Sequence, residues 1–108
     1  MTISLPAAIA IYFEISNGIE TDRLDQCFTV DATVRDEGRT YRGHDAIATW
    51  VKETREKIEF RVEPLNVLRD GNRVTVAARV VGNFPGSPIE LDHAFQLTGD
   101  RIASLEIG

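Results

Sequence analysis

Side chains of types that can do chemistry include those at three places. Tyr12 sits in the helical stretch AIAIYFEIS, Asp36 adjoins Glu37 in TVRDEG, and Asp92 adjoins His93 in IELDHAFQL. A carboxylate in an apolar or like-charged setting titrates high enough to accept and return a proton. A phenol, an imidazole or a neutral carboxyl can hydrogen-bond an oxygen on which charge develops. Each residue also has a plain structural role. Tyr12, at helical spacing among Ala8, Ile9 and Ser16, suits a core tyrosine, and Asp36 beside Glu37-Gly38 suits a hairpin turn. Asp92 suits a solvated strand position and His93 a core histidine. His44 next to Asp45 suits a helix start, and Cys27 a small buried hydrophobe. Two histidines and one cysteine, far apart in the chain, form no metal-ligand cluster.

Composition removes several function classes. The 108 residues make one domain, and 17 acidic against 12 basic residues give a net charge of −5, which repels phosphate backbones. Nucleic acid is not an expected partner, and neither is a membrane, because no 18 apolar residues run together. The apolar start MTISLPAAIAIYFEI has no basic residue before Arg23 and so lacks the charged flank of a signal peptide. The single cysteine cannot form an internal disulfide. A soluble, cytoplasmic protein is expected.

The elements that position these residues can be read from periodicity. Leu5, Ala8, Ile9, Tyr12, Phe13 and Ser16 repeat with helical spacing, with Ser4 as cap, Pro6 in the first turn and Asn17-Gly18 as the stop. A second helix spans about Asp22 to Phe28, capped by Thr21 or Asp22, with Leu24, Cys27 and Phe28 on one face. Residues 32–42 form two short strands turning at Glu37-Gly38. Gly43 leads into a third helix that buries Ile47, Trp50, Val51 and Thr54 and presents ETREK, residues 53–57, to solvent. The period then changes to two. Phe60 and Val62 alternate with charges until Pro64 interrupts, Asp70-Gly71 turns into a strand from Arg73 to Val81, and residues 83–88 form a loop. Ile89, Leu91, His93, Phe95 and Leu97 alternate with polar neighbours, and Gly99-Asp100 turns into the last strand.

The order helix, helix, hairpin, helix and long strands resembles the cone-shaped NTF2-like fold. Over nearly the whole chain, YFEISNG, CFTVDATVRDEG, GHDAI and AFQLTGDRI resemble the bacterial SnoaL-like branch of that superfamily, to which the ketosteroid isomerases also belong. The resemblance implies an α+β fold in a single domain, residues 1–108, with three N-terminal helices packed on a curved antiparallel sheet. It implies a hydrophobic pocket, and Phe28, Trp50, Phe84 and Phe95 are its expected walls. It puts Tyr12 at the tyrosine of the isomerase oxyanion hole and Asp36 at the general base, with Glu37 in place of the proline that follows that aspartate. The extra tyrosine that some isomerases carry in the third helix is Val51 here. The implied chemistry needs no cofactor: Asp36 abstracts the proton next to a carbonyl while Tyr12 donates a hydrogen bond to the enolate oxygen, with Asp92 or His93 as the second donor. The substrate is then a small hydrophobic, ring-bearing carbonyl compound. Arg79 would complete the Asp-Arg-Asp arrangement of the superfamily's epoxide hydrolases. The other functional class is a non-catalytic member that binds a hydrophobic ligand or serves as a dimeric assembly module.

A one-residue slip decides between Asp92 and His93, since it exchanges the two faces of a strand. Burying Ile89, Leu91, Phe95 and Leu97 stabilises the fold by roughly 1.5–3 kcal/mol per side chain, which favours the register with His93 inward. The strand 73–81 is apolar at Val74, Val76, Ala78 and Val80 and again, on the other parity, at Ala77 and Val81. Both faces call for cover, and a twofold contact between copies supplies it. Light scattering at micromolar concentration is expected to give twice the 12.0 kDa chain mass. A monomer would remove the cover from the outer face.

Overall fold

The computed structural model describes residues 4–18 and 23–108, so the proposed caps Thr21 and Asp22 lie outside the described residues. Helix α1 (Ala7–Ser16) buries Ala8, Ile9, Tyr12, Phe13 and Ile15. Ser4 does not cap it. Pro6 occupies the N-cap position without a side-chain bond, and its missing N–H costs nothing where the first turn has no acceptor to offer. Helix α2 is one turn, Leu24–Cys27, and Phe28 already opens strand β1 (Phe28–Asp36) instead of closing the helix. The β-branched Thr29 and Val30 that follow favour extended backbone. The Cys27 thiol donates to the Ala8 carbonyl at 3.3 Å and ties α2 to α1.

Strand β1 turns into β2 (Arg39–Arg42) through Glu37 and Gly38, with φ of 52° and 75°. Two positive φ values in a two-residue hairpin make a type I′ turn, which places Asp36 directly opposite Arg39. Gly43 then leads into α3 (His44–Lys57). Strands β3 (Phe60–Asp70), β4 (Arg73–Gly82), β5 (Ile89–Thr98) and β6 (Arg101–Ile107) complete one six-stranded sheet in the order β2-β1-β6-β5-β4-β3. The chain is α+β and the sheet curves around its helices without closing. Two expectations need correcting. The sheet is not wholly antiparallel, because β1 pairs with β6 in parallel. Pro64 does not end its strand either: β3 is an edge strand, and a register shift between Pro64 and Asn66 absorbs the missing N–H.

The inner face of the sheet carries Val74, Val76 and Ala78 from β4, His93, Phe95 and Leu97 from β5, and Ile102 and Leu105 from β6, all buried. This is the register with His93 inward. On the outer face Leu68 and Val81 are 68% and 45% exposed. Their neighbours there include the cross-strand row Glu63, Arg79 and Glu90, so Arg79 points away from the inner face.

Two side chains bind the helices to the edge of the sheet. Asn17, just after α1, donates to the Val62 carbonyl at 3.0 Å and accepts from the Val62 N–H at 2.7 Å. Arg55, expected on a solvated face, is half-buried instead: its Nη1 donates to the carbonyls of Ser16 at 2.7 Å and Phe60 at 3.2 Å, and its guanidinium lies 4.8 Å from the Phe60 ring centre. A cation on the last carbonyls of α1 also offsets the negative end of that helix. Asn17→Ala leaves both main-chain groups of Val62 without their partner. It is expected to lower the unfolding free energy by about 1–3 kcal/mol in urea denaturation. Asn17→Asp, which keeps an acceptor for the Val62 N–H but loses the donor, should recover only part of that loss.

Candidate functional site

Helices α1 and α3 cover only part of the inner face, and a half-open cavity of about 690 Å³ remains between them and the sheet. Tyr12 reaches it from α1, Asp36 from the end of β1, Trp50 from α3, Val62 from β3, His93 from β5 and Phe84 from the loop after β4. The exposed charged residues Glu37, Arg39, Glu53 and Lys57 stand among its lining.

Asp36 reaches the cavity because Ala32, Val34 and Asp36 share one parity of β1. The first two are fully buried and the third, at the strand's end, is half-buried. The Trp50 indole N–H donates to its Oδ2 at 3.2 Å. Burial lifts the Asp36 carboxyl above the usual aspartate range, and the neighbouring Glu37 charge adds to the rise. The Trp50 N–H and the Glu37 backbone N–H oppose it without cancelling it.

Tyr12 is 2% exposed and boxed by aromatic rings, with Phe13, Phe28 and Phe95 all meeting it edge-on at centroid distances of 5.2, 6.1 and 5.5 Å. Burial drives the phenol pKa well above its ordinary value against a hydrogen bond from Ser16, so the hydroxyl keeps its proton. His93 is 3% exposed, with its ring centre 6.2 Å from that of Tyr12 and 5.4 Å from that of Phe13. Burial lowers its pKa, and neither the Leu91 carbonyl nor Asp92 reverses the shift.

The structure thus brings Tyr12, Asp36 and His93 to one cavity and leaves Asp92 out of it. Asp92 is exposed on the outer face, its main chain paired in both directions with Gly108 at 2.9 and 3.0 Å. Of the expected walls, Trp50 and Phe84 line the cavity. Phe28 and Phe95 do not: they lie in the packed core against the ring of Tyr12. Tyr41 was missed, although strand parity places it opposite Val34 and hence inward. Its ring lies 5.9 Å from that of Trp50. Among the described residues no three His, Cys, Asp or Glu side chains converge to hold a metal ion.

The sequence matches the family model of the SnoaL-like domain over residues 9–105. The chain belongs to the SnoaL-like family. Among solved structures this SnoaL-like chain is similar to a candidate polyketide cyclase from Sinorhizobium meliloti, with 38% identity, a TM-score of 0.91, and coverage of 96% of this chain and 95% of that one. A Catenulispora acidiphila protein with a ketosteroid isomerase-like fold, crystallised with trimethylamine, shares 23% identity at a TM-score of 0.83, over 97% and 86% of the two chains. An epoxide hydrolase/cyclase-like enzyme of pyran-ring formation in the polyether salinomycin also shares 23%, at a TM-score of 0.76, over 93% and 85%. No functionally curated protein matches the sequence. The chain therefore has the NTF2-like fold.

The raised Asp36 pKa has a consequence for stability. The folded SnoaL-like domain holds this proton to a higher pH than the unfolded chain does, so stability falls as pH rises from the ordinary carboxylate value through the raised folded one. Asp36→Asn never ionises and can still accept from Trp50. It is expected to melt above the wild type at about pH 7 and to lose that advantage near about pH 3, below both pKa values. Thermal unfolding across that range checks it, and a wild type that melts higher at neutral pH would contradict it.

Proposed function

We propose that this protein is an isomerase or cyclase that moves a proton next to a carbonyl of a small hydrophobic substrate. The observation that carries the reading is Asp36: a half-buried carboxylate with a raised pKa, oriented by the Trp50 N–H, lining the same cavity as Tyr12. A base in this state accepts a carbon-bound proton and later returns it to another position. The neutral Tyr12 hydroxyl, itself 2% exposed, donates a hydrogen bond to the carbonyl oxygen as enolate charge builds there. Residues of Trp50, Val51, Val62 and Val80 supply an apolar surface against which a ring can lie. The exposed Leu68 and Val81 support a homodimer through the outer face of the sheet.

A non-catalytic binding protein is the second reading. It is favoured by the count of donors, since Tyr12 is the sole oxyanion donor among the three candidate groups once Asp92 faces away and the one N–H of a neutral His93 is turned to the Leu91 carbonyl. The two readings separate with 2-tetralone, a ring ketone with exchangeable protons next to its carbonyl, followed by proton NMR in deuterated buffer. The wild type is expected to accelerate exchange. Asp36→Asn is expected to cut that acceleration by about 10²–10⁴-fold and Tyr12→Phe by about 10²–10³-fold. Binding without any acceleration of exchange would make the protein a binder.

A further inference from the structure

His93 is the buried polar side chain that the proton transfer leaves without a task. Its Nδ1 lies 3.3 Å from the carbonyl oxygen of Leu91, two residues back on the same strand. A carbonyl can only accept, so Nδ1 carries the proton. In a neutral imidazole that leaves Nε2 as a bare lone pair. Nε2 has no hydrogen-bond partner among the described residues. Nε2 is not completely sealed in, and His93, 3% exposed as a whole, lines the cavity. Its opening is therefore onto the cavity.

The groups around the ring do not supply a proton to it. Tyr12 and Phe13 of α1, both tilted to its plane, and Phe95 of β5, nearly parallel to it, surround the ring, and Asp92 points to the other side of the sheet. Burial holds the imidazole neutral. His93 is thus an acceptor and not the second donor that the family resemblance suggested.

We infer that the ligand of this cavity carries a hydroxyl group as well as its carbonyl, and that Nε2 of His93 receives that hydroxyl. The inference rests on the proposed function for the carbonyl and on His93 alone for the hydroxyl. It narrows the substrate class from apolar ring ketones to hydroxylated ones. A ligand without a donor would bury the Nε2 lone pair against hydrocarbon, which is unfavourable, so hydroxyl-free analogues bind less tightly.

Two measurements test this. Long-range 15N–1H correlation spectra of the labelled protein at neutral pH are expected to show the tautomer protonated at Nδ1, with the Nε2 resonance shifted on adding 6-hydroxy-2-tetralone. Calorimetric titration is expected to give a dissociation constant about tenfold lower for 6-hydroxy-2-tetralone than for 6-methoxy-2-tetralone, a preference that His93→Phe abolishes. A proton on Nε2, an Nε2 resonance that neither tetralone moves, or a preference that survives in His93→Phe would overturn the inference. None of these readouts requires turnover. Loss of the hydroxyl preference with Asp36-dependent exchange intact rejects the role of His93 alone. The preference without exchange rejects the catalytic reading alone.

Discussion

The structure depends on a clamp of two hydrogen bonds between the Asn17 amide and the main chain of Val62. Val62 lies on β3, at the free edge of the sheet, and opposite Val80 it turns its N–H and carbonyl away from β4 toward that edge. The Asn17 amide meets both groups as a neighbouring strand would, covering an edge that would otherwise invite another chain. Arg55 adds a second tie across Ser16 and Phe60. These bonds set where α1 ends against the sheet. A cavity is packing forgone, and its walls collapse unless something other than mutual contact holds them apart. Polar ties at the rim can do this because their geometry is directional, whereas apolar contact has no preferred separation.

Held open, the cavity imposes one rule on its ionisable groups: each is pushed toward its neutral form, and depth decides how far. Tyr12 and His93 are almost wholly enclosed, so desolvation dominates and both are neutral at physiological pH. Asp36 stands at the end of its strand, where two N–H donors favour the charged form while burial and Glu37 disfavour it. The net effect is a rise, so this carboxylate takes up a proton more readily than an ordinary aspartate.

Much of this was legible in the sequence, and the limits have physical causes. The stripe Ala8, Ile9, Tyr12, Phe13 placed α1 correctly, and the apolar parity of Ile89 to Leu97 put His93 inside, because both patterns report a face that must be buried. Phe28 was misjudged because a side chain buried at the end of a helical turn and one buried at the start of a strand satisfy the same pattern. The parallel pairing of β1 with β6 joins residues some seventy positions apart and has no local signature. Arg55 reads as a solvated charge in ETREK, and only the carbonyls it meets on α1 and β3 bring it indoors. The walls of the cavity were hardest: Phe28 and Phe95 are as aromatic as Trp50 and Phe84, but apolar character does not say which side chains meet one another and which meet a void.

That last distinction follows depth along each strand. On β5, Phe95 and Leu97 lie toward the closed end and pack against the core, His93 stands at the boundary, and Leu91 and Ile89 face the cavity with increasing exposure. All five share one parity, so the alternation that specifies the fold is satisfied equally by residues that will never touch a ligand and by residues that will. Changing Phe95 opens a hole among Tyr12, Phe13 and His93, whereas changing Leu91 or Ile89 reshapes space that is already empty. The fold therefore constrains the closed end of the cone tightly and the open end loosely. A chain can keep this fold while its cavity is recut for another substrate.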